Sequence, residues 1–337
     1  MQRFLLRAVG GPRNSPRAHV LFRCFALGIA WLPACSQAPP TPRAIDVQGH
    51  RGARGLLPEN TLPGFRHAMA LGVTTLELDV AMTRDGVVVV SHDPVISSRV
   101  CLDPRGRRIE EGEGPAIDSL SYTALRAYDC GSLNPDPARF PEPPRRNLPG
   151  TLMPPLEQVL ALAAEDPGLR FNVEIKTRPG GGAGPPLERF VPAVLAEIRA
   201  QGLVDRSTLQ CFDWRALQIA KRLEPRLRTV ALLAPDTLTP EWLAGLDPGE
   251  PPDVLALLRG ADAYVDDFSP EWRMLFRHGP GARSVAELQA AGFAVIPWTV
   301  NAREDMSRLL DAGVDGIISD YPDRLLAELH ERGWEAR

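Results

Sequence analysis

Ile45-Asp46-Val47-Gln48-Gly49-His50-Arg51-Gly52 sets a short, half-apolar run directly before a histidine and an arginine held between glycines. Such a run reads as a β-strand whose C-terminal end delivers His50 and Arg51 into a loop. A helical pattern follows over 62–71, with Thr61 in the N-cap position and Gly72 just past the end. Residues 74–80 then read as a second strand carrying Glu77-Leu78-Asp79. The alternation runs on to the C-terminus. Further strands are expected at 87–91, 170–175, 208–211, 229–233, 263–265, 294–298 and 316–319. Helical patterns fall at 156–164, 187–200, 214–223, 285–291, 303–312 and 322–332. Repeated βα units imply a parallel sheet with helices outside it. Nine candidate strands fit the eight positions of a TIM-type (β/α)8 barrel. The stretch 94–155, rich in Pro, Gly, Arg and Asp, breaks the alternation and reads as an insertion after the third strand.

The chain has 337 residues, enough for one barrel of about 250 residues with insertions. Its apolar fraction of 44% and charged fraction of 24% are those of an ordinary globular protein. A net charge of −4 supplies no basic field for nucleic acid. The start reads differently. Arg3, Arg7, Arg13, Arg17 and Arg23 precede an apolar run over 24–34, the order of an export signal and too short for a membrane span. It ends Leu32-Pro33-Ala34-Cys35, which resembles the cleavage box of bacterial lipoproteins. That resemblance implies an export signal over 1–34, a lipid on Cys35, a linker over 35–44, and a barrel over 45–337 held at a membrane in the bacterial periplasm. A plain cleaved signal or an uncleaved anchor is the alternative. In an oxidising compartment the three cysteines beyond the linker suggest one pair and one spare. Cys101 and Cys130 flank the insertion's loops and are expected to pair, with Cys211 buried in its apolar strand. The insertion shows little apolar periodicity, so the crosslink is expected to substitute for a core. Nothing in the sequence bears on oligomeric state.

The chemistry-bearing residues collect at strand ends. Glu77 and Asp79 are two apart on a strand and share a face; Glu174 and Lys176 repeat that geometry. His50-Arg51 and His92-Asp93 follow two other strands. In a barrel all of these converge on the C-terminal rim, where catalysis sits. Three carboxylates suit a hard cation, Mg²⁺ or Ca²⁺, held through oxygen. Arg51 offers a planar fork for phosphate oxygens and Lys176 a point charge. His50 and His92 can move protons near neutrality. The competing reading is structural: Arg51 paired with Glu77, and Lys176 with Glu174.

The ordered segments His50-Arg51-Gly52, Leu57-Pro58-Glu59-Asn60-Thr61, Glu77-Leu78-Asp79, Ser91-His92-Asp93, Val173-Glu174-Ile175-Lys176, Trp298-Thr299-Val300-Asn301 and Asp315 to Pro322 resemble the glycerophosphodiester phosphodiesterase family. The resemblance covers nearly all of 45–329. It implies a TIM-type barrel and hydrolysis of a glycerophosphodiester to sn-glycerol 3-phosphate and an alcohol. It also implies Glu77, Asp79 and Glu174 as ligands of one divalent cation, and His50 and His92 as the acid/base pair. Arg51 and Lys176 would contact phosphate, and Trp298 the glycerol carbons. Water and a glycerol hydroxyl both remain open as the nucleophile. Two alternatives stand beside this reading: a lysophospholipase D or other phosphodiesterase on the same fold, and a catalytically silent binding lipoprotein.

Overall fold

Short apolar-alternating runs pair into a ring because each carries one face toward the helices and one toward the lumen. In the computed structural model, which describes residues 43–134, 138, 145–177, 179–181, 184–277 and 281–337, the elements run as follows. The first third holds β1 Ala44–Gly49, α1 Leu62–Leu71, β2 Thr75–Met82, β3 Val88–Val90, α2 Tyr122–Leu125 and α3 Leu156–Leu160. The middle holds β4 Arg170–Ile175, α4 Leu187–Ala200, β5 Ser207–Cys211, α5 Trp214–Leu223, β6 Arg228–Leu233 and α6 Val254–Gly260. The last part holds β7 Asp267–Pro270, α7 Val285–Ala290, β8 Ala294–Val295, α8 Arg303–Ala312, β9 Gly316–Ser319, α9 Pro322–Arg332 and β10 Glu335–Ala336. The export signal expected at 1–34, Cys35 and the linker as far as residue 42 lie outside the described residues. Ala44, assigned from sequence to the linker, is the first residue of β1.

Strands β1, β2 and β4 to β8 pair in parallel succession, and β9 returns to pair with β1 in parallel. Between β8 and β9 the ring is carried by Asp315 N–H donating to Val295 O and Ile318 N–H donating to Pro297 O, each at 3.0 Å. The eight-stranded parallel barrel expected from sequence is therefore present. One strand plays a different part: β3 pairs antiparallel with β2, Val80 opposite Val90, so it is a hairpin arm outside the ring. The insertion thus follows the chain's third strand but only the second strand of the barrel. A tenth strand, β10, clasps the entry of β1 in parallel.

Outside the ring, Leu76, Leu78 and Val80 of β2 join Val47, Phe171, Val173 and Leu209 in one apolar core with the helices. The lumen is polar. Asn172 Nδ2 donates to Gln48 Oε1 at 2.8 Å and to Gln210 Oε1 at 3.0 Å, and Gln210 Nε2 donates to Glu77 Oε1 at 2.8 Å. This ladder satisfies buried amides that would otherwise be costly, and it leads up to the carboxylates of the rim.

The insertion holds a second, small core: Ile96, Ile117, Leu125 and Met153 pack with Ala81 and Val89 around the Cys101–Cys130 disulfide. The expectation that a crosslink replaces burial there is half right. The disulfide is present, with Cα atoms 4.0 Å apart, but it sits inside an apolar cluster assembled partly from β2 and β3. Cys211 is buried and outside any disulfide, and its thiol donates to Ile175 O at 3.1 Å.

Candidate active site

At the C-terminal end of β1 the chain turns through Gly49 and Gly52 so tightly that a Cβ on Gly49 would lie 2.2 Å from Gly52 O. Arg51 is driven to φ 51°, a conformation uncommon for a residue with a side chain. That turn aims the Arg51 N–H at Glu77 Oε2, 2.8 Å away. The Arg51 side chain reaches Glu59 at 2.7 Å and Asp79 at 3.2 Å. Asn60, also at positive φ (54°), donates to Asp79 Oδ2 at 2.9 Å. The structural alternative for Arg51 thus fails in its partner: its guanidinium is held by Glu59 and Asp79, and only its backbone meets Glu77.

Glu77, Asp79 and Glu174 each offer an oxygen, and these oxygens lie within 4.8 Å of one another. Glu77 and Asp79 are fully buried, and Glu174 nearly so. Burial, with Asp79 and Glu174 beside it, pushes Glu77 well above the usual carboxylate range. Burial likewise raises Glu174 to about 7, against the pull of Lys176. For Asp79 burial acts upward too, but Lys176 and Arg51 override it and hold the group low. Lys176 Nζ stands 2.6 Å from Glu174 and 3.2 Å from Asp79, so the expected Lys176–Glu174 pair exists and extends to a third residue. Asp79 Oδ1 accepts no well-formed hydrogen bond although it is buried. Three buried carboxylates, one with an oxygen that meets Lys176 as an ion pair but accepts no well-formed hydrogen bond, fit an oxygen-ligated divalent cation.

The histidines flank this cluster from two sides. His50 Nδ1 lies 2.5 Å from the buried Asp320 Oδ1, which fixes the tautomer and turns Nε2 inward, 3.9 Å from Glu77. Asp320 is itself held by Asn301, whose Nδ2 donates to Oδ2 at 2.8 Å. Burial lowers His50 to about 4 despite Asp320, so the ring is neutral at pH 7. His92 follows the β3 arm, where Ser91 N–H donates to Asp79 O at 2.9 Å. Its Nδ1 meets Asp93 Oδ1 at 2.7 Å. Burial and then Lys176 lower its pKa.

His50, Arg51, Glu77, His92, Glu174, Lys176 and Trp298 line one cavity of about 280 Å³, and Asp79 joins two of them, Glu77 and Glu174, in the carboxylate cluster. Every residue singled out from sequence for the cavity is thereby brought together. Trp298 donates from Nε1 to Ser269 O at 2.9 Å and meets the Phe212 ring edge-on at 5.3 Å. Sequence reasoning assigned no role to Asp320, Glu59, Asn60, Gln210 or Phe212. Three of these stood inside the segments already quoted, and their pairing with His50, Arg51 and Asp79 was the missing signal.

A model of the glycerophosphoryl diester phosphodiesterase family matches residues 50–324. A curated glycerophosphodiester phosphodiesterase of Caldanaerobacter subterraneus is 28% identical over 287 residues, covering 85% of this chain and 98% of its own. A crystal structure from Silicibacter pomeroyi DSS-3 that bears the glycerophosphoryl diester phosphodiesterase name aligns with a TM-score of 0.75 and 33% identity, over 88% of this chain and 97% of that one. The same barrel recurs in an Oleispira antarctica phosphodiesterase solved with the product sn-glycerol-3-phosphate, at a TM-score of 0.64 and 21% identity over 86% and 97% of the two chains. With the rim residues, their geometry and these likenesses in agreement, the chain belongs to the glycerophosphoryl diester phosphodiesterase family.

Proposed function

We propose that this protein is a metal-dependent hydrolase of glycerophosphodiesters, releasing sn-glycerol 3-phosphate and an alcohol. The observation that carries the reading is the buried Glu77, Asp79 and Glu174 cluster, flanked in one cavity by Arg51, Lys176 and two histidines. Glu77, Asp79 and Glu174 would hold one divalent cation, Mg²⁺ or Ca²⁺. Such a cation offsets charge on phosphate and acidifies a bound hydroxyl or water. Arg51 and Lys176 neutralise the phosphate oxygens, and Trp298 with Phe212 covers the glycerol carbons.

The proton transfers divide between the histidines. His50 is neutral at pH 7, with Nε2 free and a buried carboxylate behind Nδ1, the arrangement of a general base. His92 is more open and faces the cavity from the hairpin side; in its protonated form, which Asp79 and Asp93 favour against burial and Lys176, it protonates the departing alcohol. A silent binding protein has no use for two carboxylate-backed histidines aimed at one cluster. Enzyme-coupled measurement of glycerol 3-phosphate tests the reading: release from glycerophosphodiesters, loss on chelation and recovery with Mg²⁺ or Ca²⁺ are expected. Full turnover after exhaustive chelation would refute it.

The arginine-rich start, the short apolar run and Leu32-Pro33-Ala34-Cys35 support export and lipid attachment at Cys35. Mass spectrometry of the membrane fraction should show a chain beginning at an acylated Cys35. A cytoplasmic, unprocessed chain would defeat that part.

A further inference from the structure

A second groove of about 370 Å³ opens from the catalytic cavity. The two share His92, Glu174, Lys176 and Phe212. The groove continues to Asp93 and Pro94 on the hairpin side and to Trp242 in the segment between β6 and α6. If His92 protonates the leaving alcohol, that alcohol lies beside His92, and the space beyond it is this groove rather than the Trp298 side.

The lining has a definite chemistry. Phe212 stands edge-on to Trp298 at 5.3 Å on one side and to Trp242 at 6.3 Å on the other, so an aromatic wall runs unbroken from the glycerol side into the groove. Among the described charged residues of the groove, Lys176 is engaged by Asp79 and Glu174, and Glu174 belongs to the metal cluster. That leaves Asp93, which bonds both His92 and Ser97 and still keeps its side chain 41% exposed. An aromatic face with a partly open carboxylate attracts an ammonium group by cation–π and charge, and gives an uncharged polyol little in return.

We infer that this groove is the leaving-alcohol subsite and that it selects a cationic amino alcohol, carrying a primary or quaternary ammonium, over a neutral polyol. The inference rests on the hydrolase reading given above. Trp242 is the specificity-determining residue. Its backbone carbonyl accepts the Trp214 N–H at 2.9 Å, a bond that survives any side-chain change.

Glycerol 3-phosphate release is measured on glycerophosphocholine, glycerophosphoethanolamine, glycerophosphoglycerol and glycerophosphoinositol. The two amino-alcohol diesters should exceed the two polyol diesters in kcat/KM by about tenfold, the scale of a cation–π contact at a partly open site. That ratio should fall to about one in Trp242→Leu and largely persist in Trp242→Phe, which keeps a ring. Equal kcat/KM for all four in the wild type, a preference for the polyols, or a ratio that survives Trp242→Leu would each overturn the inference while leaving the hydrolase reading standing. No glycerol 3-phosphate from any of the four would instead overturn the hydrolase reading itself, and the subsite with it.

Discussion

Asp320→Asn isolates the support behind His50 with almost no change in volume. Asp320 Oδ1 lies 2.5 Å from His50 Nδ1 and Oδ2 accepts from Asn301 at 2.8 Å, with the side chain fully buried. As His50 takes up a proton in the transition state, the Asp320 contact, already charge-assisted, becomes an ion pair, whereas Asn offers only a neutral bond; the two kinds are worth about 1.5–3 and about 0.5–1.5 kcal/mol. Losing the charge therefore costs about 1–2 kcal/mol, or about five- to thirtyfold in kcat. Asp320 acts to raise the His50 pKa. Its neutralisation should shift the acidic limb of the kcat/KM profile to lower pH, because the base then stays unprotonated further down. Steady-state kinetics across pH, with circular dichroism to verify the fold, measure both effects. A kcat within twofold of wild type, or a drop with no movement of the acidic limb, would refute the positioning argument.

Ala at Glu77 or at Glu174 should abolish turnover and also remove the rise in thermal midpoint that Mg²⁺ or Ca²⁺ gives the chelated wild type; an equal rise in the variants would mean the cation sits elsewhere. His92→Ala and His50→Ala should each lower kcat by about 10²–10⁴-fold, and a diester with a good leaving group should restore His92→Ala but not His50→Ala. Rescue in the opposite pattern reverses the assignment. Replacing Cys101 and Cys130 by Ser opens a 29-residue separation and should cost about 3–4 kcal/mol in denaturant unfolding by the chain-entropy model; an unchanged midpoint would show that the local apolar cluster alone suffices. His50 titrates near 4 when folded against 6.5 unfolded, so unfolding takes up a proton between those values and stability is lost as pH falls through them. The wild type should therefore lose about 2 kcal/mol more than His50→Asn between pH 7 and pH 5, read from urea midpoints at the two pH values.

The barrel was legible because β2 and β4 carry apolar alternation and β6 a continuous apolar run, with helices of regular period between them. Where lumen residues are polar the signal fails. Strand β7, Asp-Phe-Ser-Pro, was expected at 263–265 and lies at Asp267–Pro270, with Asp267 tied to Arg228 at 2.6 Å and Ser269 bonded to Ile296 O at 2.5 Å. No periodicity in four such residues separates a strand from a turn. The run 87–91 looked like a buried parallel strand because an apolar hairpin arm has the same composition; only its pairing with β2 tells them apart. The insertion's core escaped notice because Ile96, Ile117, Leu125 and Met153 occur singly and become neighbours only in three dimensions. The site divides the same way. Residues that announce themselves by type at strand ends were found, while those whose value lies in a partner were not, Asp320 above all.

The pairing of His50 with Asp320 spans 270 residues of chain, across the seam where β9 meets β1. Long-range closures of this kind form late and slowly when a chain folds. The support behind the base is therefore assembled only when the ring is joined, and a chain with every strand formed but the seam open has its metal-site carboxylates and a His50 that lacks its partner. During refolding, recovery of turnover reports closure of the seam and trails the return of secondary structure.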